Sequence, residues 1–308
     1  MTAAVAIIGA GMAGLSAARM LRDAGISVTL FDKGRGLGGR MSTRKRDEFQ
    51  FDHGAQYFTA RGTGFQILIS ELKDRGAVAE WSDGMFVGTP GMSAIGRVLG
   101  EGFPIFKGAT VEALAQSPHG WRVSTTNGNP GQGFDAVLLA TPAPQASALL
   151  ATADVRFEPL QAVRYAPCWA LMLAFEESVL PIADFQRFET GPIAWIASDS
   201  SKPGRSTGMT TFVAHASPEW SRANLERTPE EVLNLLGQRI LKQIPTTTIP
   251  NYQSAHRWRY ALVETPAGQS CFWDTDRRIG ACGDWCLGGR VEAAFDSGEA
   301  AARAILET

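Results

Sequence analysis

The sequence predicts an α/β fold in which one domain is built on a parallel sheet and a second, α+β domain carries a mixed or antiparallel sheet. Three observations support this prediction. Apolar residues make up 44% of the 308-residue chain, which is enough for a sizeable core. A short apolar run, a glycine-rich turn and a helical pattern follow one another at the start of the chain. The 33 glycines are partly concentrated in three blocks, at 9–14, 34–39 and 280–289.

The charge balance and the cysteines exclude several classes of protein. With 29 Lys and Arg against 31 Asp and Glu, the net charge is −2, so general electrostatic binding to nucleic acid is excluded. The 4 cysteines are too few for a disulfide scaffold and lack the spacing of a zinc site. No apolar run approaches the about 18 residues that a spanning helix needs. We therefore expect a cytoplasmic protein with no metal, no nucleic acid and no membrane partner.

The first element is a strand that leads into a tight turn. Residues 5–8 form a continuous apolar run, as in a strand buried on both faces. The turn Gly9-Ala10-Gly11-Met12-Ala13-Gly14 follows, and a helical pattern then ends near Gly25. A second strand ends at Asp32. This order of strand, glycine-rich turn, helix, strand and acidic residue is typical of a dinucleotide-binding unit.

Each part of this unit has a physical role. Gly9 permits the tight turn, Gly11 lets a pyrophosphate approach the backbone, and Gly14 lets the helix pack closely on the sheet. The helix N-terminus offers free N–H groups and a partial positive charge to phosphates. Asp32 can accept hydrogen bonds from both ribose hydroxyls of an adenosine, and it would repel a 2′-phosphate. The alternative is a glycine-rich turn that holds no ligand.

Further segments extend this pattern. A second glycine-rich loop, Lys33-Gly34-Arg35-Gly36-Leu37-Gly38-Gly39-Arg40-Met41, follows Asp32 directly, and its alternative interpretation is a flexible basic hairpin. The segment 51–58 contains the pattern Asp-His-Gly-Ala-Gln-Tyr. Later in the chain a short strand ends in Gly283-Asp284, and an alanine-rich helix runs to Ile305.

These blocks together resemble the flavin amine oxidase superfamily and, within it, the renalase family. The narrower resemblance rests on the segments 90–93, 193–199 and 256–260. It covers nearly the whole chain, and it implies a discontinuous Rossmann-like domain that binds FAD together with a substrate domain. The FAD-binding domain comprises residues 1–60, 104–150 and 267–308, and the substrate domain comprises residues 61–103 and 151–266.

The resemblance also implies which residues hold the cofactor. Arg40 can pair with the pyrophosphate, and the backbone at Gly54 can approach the flavin ring. Asp284 accepts a hydrogen bond from a ribityl hydroxyl, and the helix after it directs its positive N-terminus at the N1–C2=O edge of the flavin. The expected cofactor-binding residues are Gly9, Gly11, Met12, Ala13, Gly14, Asp32, Lys33, Gly39, Arg40, Met41, Gly54, Ala55, Gln56, Tyr57, Val111, Thr141, Gly283, Asp284, Val291 and Ala294.

Two departures from monoamine oxidases bear on the chemistry. Those proteins carry a flavin-binding cysteine in a Ser-Gly-Gly-Cys-Tyr context that Cys271 lacks, so the resemblance implies noncovalent FAD. The paired tyrosines of an amine-binding aromatic cage are not evident either, with only 4 tyrosines in the chain. The lack of a tyrosine pair weakens the case for amine substrates.

The activity that the resemblance implies is oxidation of the 2- and 6-dihydro isomers of NAD(P)H to NAD(P)+. Hydride passes to the flavin, and dioxygen then takes the electrons to give hydrogen peroxide. No general base is required, because the product is an aromatic cation, and no catalytic residue is assigned. The alternatives are a flavin amine or polyamine oxidase, a flavin-bound sensor without turnover, and a carotenoid- or porphyrinogen-type desaturase. The small second domain argues against the last of these.

A dihydronicotinamide ring needs aromatic walls and few polar contacts. The candidate walls are Tyr57, Trp195, Trp258 and Trp285, and for each of them core packing is the alternative. The predicted helix over 229–242 places one apolar face against the rest of this domain. The residues of that face are Val232, Leu235, Leu236 and Ile240.

Charged and polar candidates complete the substrate pocket. Arg257 and Arg259 could pair with substrate phosphates or take part in structural ion pairs, and Arg61 and Arg187 are weaker candidates of the same kind. The candidate histidines are His215, which can face the pocket, and His256, for which an ordinary structural role is the preferred alternative. His53 is expected to be a structural histidine.

Overall fold

A computed structural model describes residues 3–128, 133–176, 184–206 and 208–308. The strands are β1 Ala4–Ile8, β2 Ser27–Asp32, β3 Thr43–Arg46, β4 Phe49–Asp52, β5 Val78–Ser82, β6 Met85–Gly88, β7 Ile105–Lys107, β8 Val111–Ser117, β9 Gly120–Thr125, β10 Ala136–Leu139, β11 Arg164–Phe175, β12 Phe185–Arg187, β13 Ile193–Ser198, β14 Thr210–Ala216, β15 Tyr252–Thr265, β16 Phe272–Asp274 and β17 Ile279–Ala281. The helices are α1 Met12–Asp23, α2 Thr63–Asp74, α3 Ser93–Leu99, α4 Ala143–Thr152, α5 Pro218–Ala223, α6 Pro229–Leu241 and α7 Val291–Leu306, with short 3₁₀ turns at Glu158–Ala162, Asp199–Ser201 and Asp284–Cys286.

A six-stranded sheet gathers segments from distant parts of the chain. Its order is β16-β17-β10-β1-β2-β7, and every pairing except β16 with β17 is parallel. The apolar runs of β1 and β10 are buried because helices cover both faces of the sheet. This arrangement confirms the predicted α/β, Rossmann-like fold class.

Helices α1 and α7 lie against each other beside this sheet. A Cβ added at Gly298 of α7 would lie 2.2 Å from the carbonyl oxygen of Ala13 in α1, so only glycine permits the contact. The helix that follows β1 and the helix that follows β17 are therefore in direct backbone contact.

The second large sheet is antiparallel and has five strands, in the order β12-β13-β14-β11-β15. Alternate residues of a strand point to opposite faces. One face of β11, with Trp169 and Leu171, packs against α6. The other face, with Met172 and Ala174, contacts Phe51 of β4. The second face is therefore the one directed at the segment that follows the glycine-rich loops.

Helix α6 corrects one prediction. It begins with a capping box, in which Thr228 accepts from the backbone of Glu231 and Glu231 accepts from the backbone of Thr228. Val232 and Ile240 are buried as predicted, whereas Leu235 is 45% exposed. The buried stripe runs along i, i+4 and i+8, and Leu235 falls outside it.

The segment 63–99 packs differently from its predicted grouping with residues 151–266. Its buried residues, such as Phe65 and Ile95, share one hydrophobic core with α1 and α7. This segment therefore lies with the parallel sheet, while the remaining domain boundaries stay predictions. Across the described residues, no helix combines the length and apolar character needed to cross a membrane.

Candidate functional site

The first glycine-rich turn leaves space at one position and none at its neighbours. Gly9 has a φ of 109°, and an added Cβ at Gly14 would lie 2.0 Å from the carbonyl oxygen of Gly9. By contrast, a Cβ at Gly11 would meet nothing within 4 Å. Helix α1 begins at Met12 without a side-chain cap, so its first N–H groups remain available to an anion beside Gly11.

Asp32 holds the two glycine-rich segments together at the end of β2. Its Oδ2 accepts from the N–H of Ala10 at 2.7 Å, and its Oδ1 accepts from the N–H of Gly34 at 2.6 Å. Burial raises the pKa of Asp32, and the two N–H donors partly offset this effect. Each carboxylate oxygen keeps a second acceptor site, which could serve a ribose hydroxyl.

The second glycine-rich loop lies directly against the first. The N–H of Gly38 donates to the carbonyl of Ala10 at 2.9 Å, and Gly39 is exposed with a φ of 58°. The N–H of Ala55 donates to the carbonyl of Arg40, and a Cβ at Gly54 would lie 1.9 Å from that oxygen. The backbone at Gly54 and Ala55 therefore lies in direct contact with the second loop, and only glycine permits this approach at position 54.

Arg40 and Asp284 form an ion pair at the centre of these segments. Arg40 Nη2 lies 2.6 Å from Asp284 Oδ1, and Arg40 Nη1 donates to the carbonyl of Ala261 at 3.1 Å. Burial alone would lower the pKa of Arg40, but the Asp284 carboxylate holds it above the ordinary value. The N–H of Gly283 donates to Ser297 Oγ, which ties the same turn to α7.

The N-terminus of α7 is a second open helix end. Val291 is its first residue, and the preceding Arg290 provides no side-chain cap. Ala294, one turn later, is half-buried. Glu292 points away to α2, where its Oε1 accepts from the N–H groups of Arg61 and Gly62 at 3.0 and 2.6 Å. The free N–H groups of α7 can therefore receive an oxygen of a bound molecule.

Thr141 carries an unexplained polar atom. Its Oγ1 is buried without a hydrogen-bond partner, while its carbonyl accepts from Trp285 Nε1 at 3.0 Å. A buried hydroxyl without a partner is costly unless a ligand or water completes it. Together with the space at Gly11 and the two uncapped helix ends, this orphan hydroxyl fits a dinucleotide cofactor. Of the remaining predicted cofactor residues, Lys33 is exposed, Met41 is buried under the second loop, and Val111 is buried at the start of β8.

Three of the four histidines meet on the sheet face that is directed at this region. The histidine cluster consists of His53, His215 and His256 with Trp258 stacked on it. The ring centroids of His53 and His256 are 4.9 Å apart, and those of His53 and Trp258 are 5.3 Å apart. Trp258 Nε1 donates to the carbonyl of His53 at 2.9 Å, and Arg44 donates to His256 Nδ1 at 3.1 Å. Three of the predicted pocket candidates, His215, His256 and Trp258, are thus brought together.

All three histidines are held neutral at ordinary pH. Burial and the neighbouring His256 and Arg44 lower the pKa of His53 to about 3. Burial and Lys202 lower the pKa of His215 to about 4, and burial and Arg44 lower the pKa of His256 to about 4. A protonated imidazole would be poorly solvated here and would lie beside existing cations. The cluster therefore presents an uncharged surface.

Tyr57, Trp195 and Arg187 form the margin of the same face, where Arg187 is exposed, Tyr57 is half-buried and Trp195 is buried. The rings of Tyr57 and Trp195 lie 5.7 Å apart, and the Arg187 guanidinium lies 5.1 Å from the centroid of Trp195. Arg187 also donates to the hydroxyl of Tyr57. Trp195 Nε1 is buried without a partner. This margin offers aromatic surface and one cation to a ligand.

Arg257 and Arg259 lie on the opposite face of β15 from His256 and Trp258. Arg257 donates to the carbonyl of Leu225 at 2.7 Å, and both arginines pair with the exposed Glu226. The arginine hydrogen bonds lower the pKa of Glu226. The prediction that these arginines meet a substrate in the same pocket as Trp258 is wrong, because neighbouring residues of a strand point to opposite faces. The structural ion pairs of the alternative interpretation are what the structure contains.

Trp285 also departs from its predicted place as a pocket wall. It is fully buried, it stacks on Phe272 with ring centroids 5.7 Å apart, and it donates to the carbonyl of Thr141. It belongs to the core beneath β10 and β17 because the 3₁₀ turn that carries it folds inward. Its effect on the site is indirect, through the backbone of Thr141.

A buried group of charges that sequence reasoning missed joins the β3–β4 hairpin to the five-stranded sheet. This ionic cluster consists of Asp52, Asp199, Lys202 and Arg205. Lys202 Nζ lies 2.6 Å from Asp199 Oδ1 and 3.8 Å from Asp52 Oδ2, and Arg205 also pairs with Asp52. Burial raises the pKa of Asp199, and the Lys202 ammonium opposes that effect. Two acids and two bases balance, so the cluster carries no net charge.

In the part of the chain that the structure describes, no group of three or more His, Cys, Asp or Glu side chains is arranged to hold an ion. The cysteines that are described are free thiols. Burial raises the pKa of Cys271, so its thiol is less ready to react as a thiolate.

Two family models match the chain. Residues 7–71 match the NAD(P)-binding Rossmann-like domain, and residues 77–306 match the flavin containing amine oxidoreductase model. Among curated proteins, the 4,4'-diapophytoene desaturase (4,4'-diaponeurosporene-forming) of Staphylococcus aureus strain Newman is 48% identical over 75 residues. That match covers 21% of this chain and only 15% of the desaturase.

Solved structures share the whole fold at low identity. The "Putative protoporphyrinogen oxidase" from Exiguobacterium sp. 255-15 has a TM-score of 0.78 at 15% identity, with all of both chains covered. Putrescine oxidase bound to putrescine has a TM-score of 0.66 at 16% identity, again over both whole chains. Cyclohexylamine oxidase from Brevibacterium oxydans IH-35A has a TM-score of 0.67 at 13% identity and covers 100% and 99% of the two chains. At these identities the similarity concerns the fold alone.

Proposed function

The chain belongs to the flavin containing amine oxidoreductases, and on that premise we propose that it is an FAD-dependent oxidase of the renalase type. Its substrates would be the 2- and 6-dihydro isomers of NAD(P)H, and its product NAD(P)+. Bound FAD would accept the hydride and pass the electrons to dioxygen, giving hydrogen peroxide. The proposal includes noncovalent FAD and a cytoplasmic location, because the substrates derive from NAD(P)H.

The cofactor would extend from the first glycine-rich turn to α7. The uncapped α1 N-terminus beside Gly11 would receive the pyrophosphate, and Asp32 would hold the adenosine ribose. The Thr141 hydroxyl and the N-terminus of α7 would meet the flavin side of the molecule. The segment 54–57 would lie along the ring.

The distribution of charge around the histidine cluster carries the substrate proposal. The cluster itself is neutral, and Arg44 and Arg187 stand beside it as cations. The nearest carboxylates, Asp52 and Asp199, are neutralised within the ionic cluster. A dinucleotide carries phosphate anions that suit this environment, whereas a cationic amine would be repelled by it.

The Tyr57–Trp195 pair favours a second candidate, a flavin amine oxidase. Aromatic faces attract ammonium groups, and these two rings are 5.7 Å apart at an angle of 32°. The same faces already hold the Arg187 guanidinium, which would have to leave before an amine could bind. For this reason we place the amine oxidase second.

Anaerobic mixing of the purified holoprotein with candidate substrates decides between the proposals. We expect rapid bleaching of the flavin absorbance by 6-dihydro-NAD, slow or no bleaching by putrescine, and none by a protoporphyrinogen. Rapid bleaching by putrescine alone would support the amine oxidase instead. Bleaching by none of the three would favour a flavin-bound protein without turnover. Acid precipitation of the same sample tests noncovalent binding, since yellow FAD should remain in the supernatant.

A further inference from the structure

Lys202 is an unusual residue for the interior because its side chain has no exposed surface. Its ammonium group is a donor only, and it reaches Asp199 Oδ1 at 2.6 Å and Gln56 Oε1 at 3.3 Å. Its distance to Asp52 Oδ2 is 3.8 Å. The ion pairs explain how the charge is tolerated, but they do not explain why one donor is directed at a neutral amide.

The surroundings of Gln56 permit only one orientation of its amide. The oxygen Oε1 faces the Lys202 ammonium, which can only donate. The nitrogen Nε2 faces the backbone carbonyls of Asp52 and Gly54, the second at 3.1 Å, and both can only accept. A flipped amide would set oxygen against two carbonyls and nitrogen against an ammonium. The assignment of oxygen and nitrogen therefore follows from the hydrogen-bond network.

This orientation determines which nitrogen of His215 carries the proton. Gln56 Nε2 lies 3.4 Å from His215 Nε2, and an amide nitrogen offers hydrogens alone. Both hydrogens of this amide are already directed at the two carbonyls, and its nitrogen cannot accept, so a hydrogen on His215 Nε2 would find no partner there. The proton of the neutral ring therefore lies on Nδ1.

We propose that Lys202 is a positioning residue that acts through the Gln56 amide to hold His215 as the neutral Nδ1–H tautomer. The contacts from Lys202 to Gln56 and from Gln56 to His215 link the ionic cluster to the histidine cluster. Protonation of His215 would place an N–H against the amide N–H₂ and a second cation near Lys202. Both the hydrogen-bond pattern and the charge therefore keep the imidazole neutral.

The consequence for chemistry rests on the proposed function. Removal of hydride from a dihydronicotinamide leaves a ring with a full positive charge, and charge that develops in the transition state is sensitive to the charges fixed around it. A neutral His215 does not oppose this charge, whereas an imidazolium would. The groups that face His215 are Lys202 from the turn after β13 and the neutral His53 from the segment after β4.

Three variants of the holoprotein distinguish the effect of the Lys202–Gln56–His215 contacts on the tautomer from an effect of the stability of the ionic cluster. Gln56→Glu replaces the amide nitrogen that faces His215, which cannot accept, with an oxygen that can, so it should move the proton to Nε2. Lys202→Met combined with Asp199→Asn removes both members of one ion pair and leaves the net charge unchanged. Arg205→Met is the matched control, because it disturbs the same cluster but leaves the bond from Lys202 to Gln56 in place.

The direct measurement is the pattern of two-bond ¹H–¹⁵N couplings of the His215 ring in ¹⁵N-histidine-labelled holoprotein, assigned by comparison with His215→Gln. We expect Nδ1–H in the wild type and in Arg205→Met, Nε2–H or a doubly protonated ring in Gln56→Glu, and a mixture of tautomers in the Lys202/Asp199 double variant. An Nε2–H tautomer in the wild type would overturn the proposal. So would an unchanged tautomer in both Gln56→Glu and the double variant.

A kinetic measurement connects the tautomer to turnover. We expect Gln56→Glu to slow flavin bleaching by 6-dihydro-NAD about tenfold while KM changes little, since one charge near the reacting ring affects the transition state more than binding. A changed tautomer with an unchanged bleaching rate would overturn the catalytic part of the proposal. If 6-dihydro-NAD does not bleach the flavin of the wild type at all, the proposed function fails. The ring couplings still show whether Lys202 and Gln56 set the tautomer of His215.

Discussion

Arg40 and Asp284 are 244 residues apart in the sequence, yet Arg40 Nη2 lies 2.6 Å from Asp284 Oδ1. This pair joins the second glycine-rich loop to the turn after β17. The resemblance assigned each residue a separate contact with the cofactor, and the structure adds a contact between them. The guanidinium keeps further donors for a phosphate after this pair has formed.

Removing Asp284 tests this connection. We expect Asp284→Ala to lower the free energy of unfolding by about 1–3 kcal/mol, because Arg40 would lose a largely buried charged partner. Asp284→Asn should cost less, since it keeps one acceptor. Urea denaturation measures both values. Glu299→Ala, which removes the partner of Arg303 at an exposed position, is the control and should change the free energy by less than about 1 kcal/mol. Equal effects of the two alanine variants would contradict the prediction.

Gly11 and Gly14 should respond differently to alanine. Gly11 has a φ of −82° and open space at its Cβ position, so Gly11→Ala should change the stability of the apoprotein by less than about 1 kcal/mol. The same methyl group would fill the place of the pyrophosphate, and FAD affinity should fall at least about tenfold. Fluorescence titration of the apoprotein with FAD gives the affinity. Unchanged FAD affinity in Gly11→Ala would show that the pyrophosphate lies elsewhere.

Gly14→Ala supplies the contrasting case. Its Cβ would lie 2.0 Å from the Gly9 carbonyl oxygen, so α1 must shift and the apoprotein itself should lose about 1–3 kcal/mol. Thermal unfolding of the apoprotein distinguishes this loss from a loss of affinity. An apoprotein as stable as the wild type would contradict the close packing of α1 on the turn.

The histidine cluster predicts how stability depends on pH. The pKa of folded His256 is about 4, below the ordinary value of 6.5, so the unfolded state binds more protons between these two values. Its contribution is complete above pH 6.5 and is lost as the pH falls towards about 4. His256→Gln should therefore flatten the pH dependence near pH 5 by roughly 1 kcal/mol per pH unit. Urea denaturation from pH 4.5 to 8 measures this slope, and a slope equal to that of the wild type would contradict the prediction.

Arg187 and Arg257 provide a test of the two faces of the antiparallel sheet. If a phosphate of the substrate meets the exposed Arg187 side chain, Arg187→Gln should raise KM for 6-dihydro-NAD about tenfold with little change in kcat, the effect of one lost charge-assisted hydrogen bond. Arg257→Gln, on the opposite face, is the matched control and should leave KM within about twofold. Steady-state peroxide production gives both constants. A larger effect of Arg257 would reverse the assignment of the faces.

The features that the sequence predicted best are those whose chemistry lies in consecutive residues. The turn from Gly9 to Gly14 needs only its neighbouring strand and helix, so spacing alone indicates its role. The residues of β15 show the opposite error: Arg257 and Trp258 were grouped by proximity in sequence, although the two-residue period of a strand separates them. Leu235 was misplaced for a similar reason, since the buried stripe of α6 is narrower than the predicted one.

The ionic cluster could not have been predicted from local patterns. Lys202 has no apolar periodicity around it, and its burial depends on Asp52, which lies 150 positions earlier in the chain and on another sheet. A buried lysine requires partners that the tertiary fold supplies. The same holds for Arg44, whose contact with His256 joins a short hairpin to the edge of the five-stranded sheet.

The contact between Gly298 and Ala13 has a consequence for how the protein is made. The nucleotide-binding turn is synthesised early, but helix α1 meets α7 only after α7 has been translated, and β1 gains its second neighbour only with β10, which in turn pairs with β17. Until α7 has been made, a nascent chain on the ribosome therefore carries the dinucleotide motif without the complete surface that would retain a cofactor. Ribosome-stalled chains that end before Val291 should not hold FAD, so cofactor loading would follow the synthesis of α7.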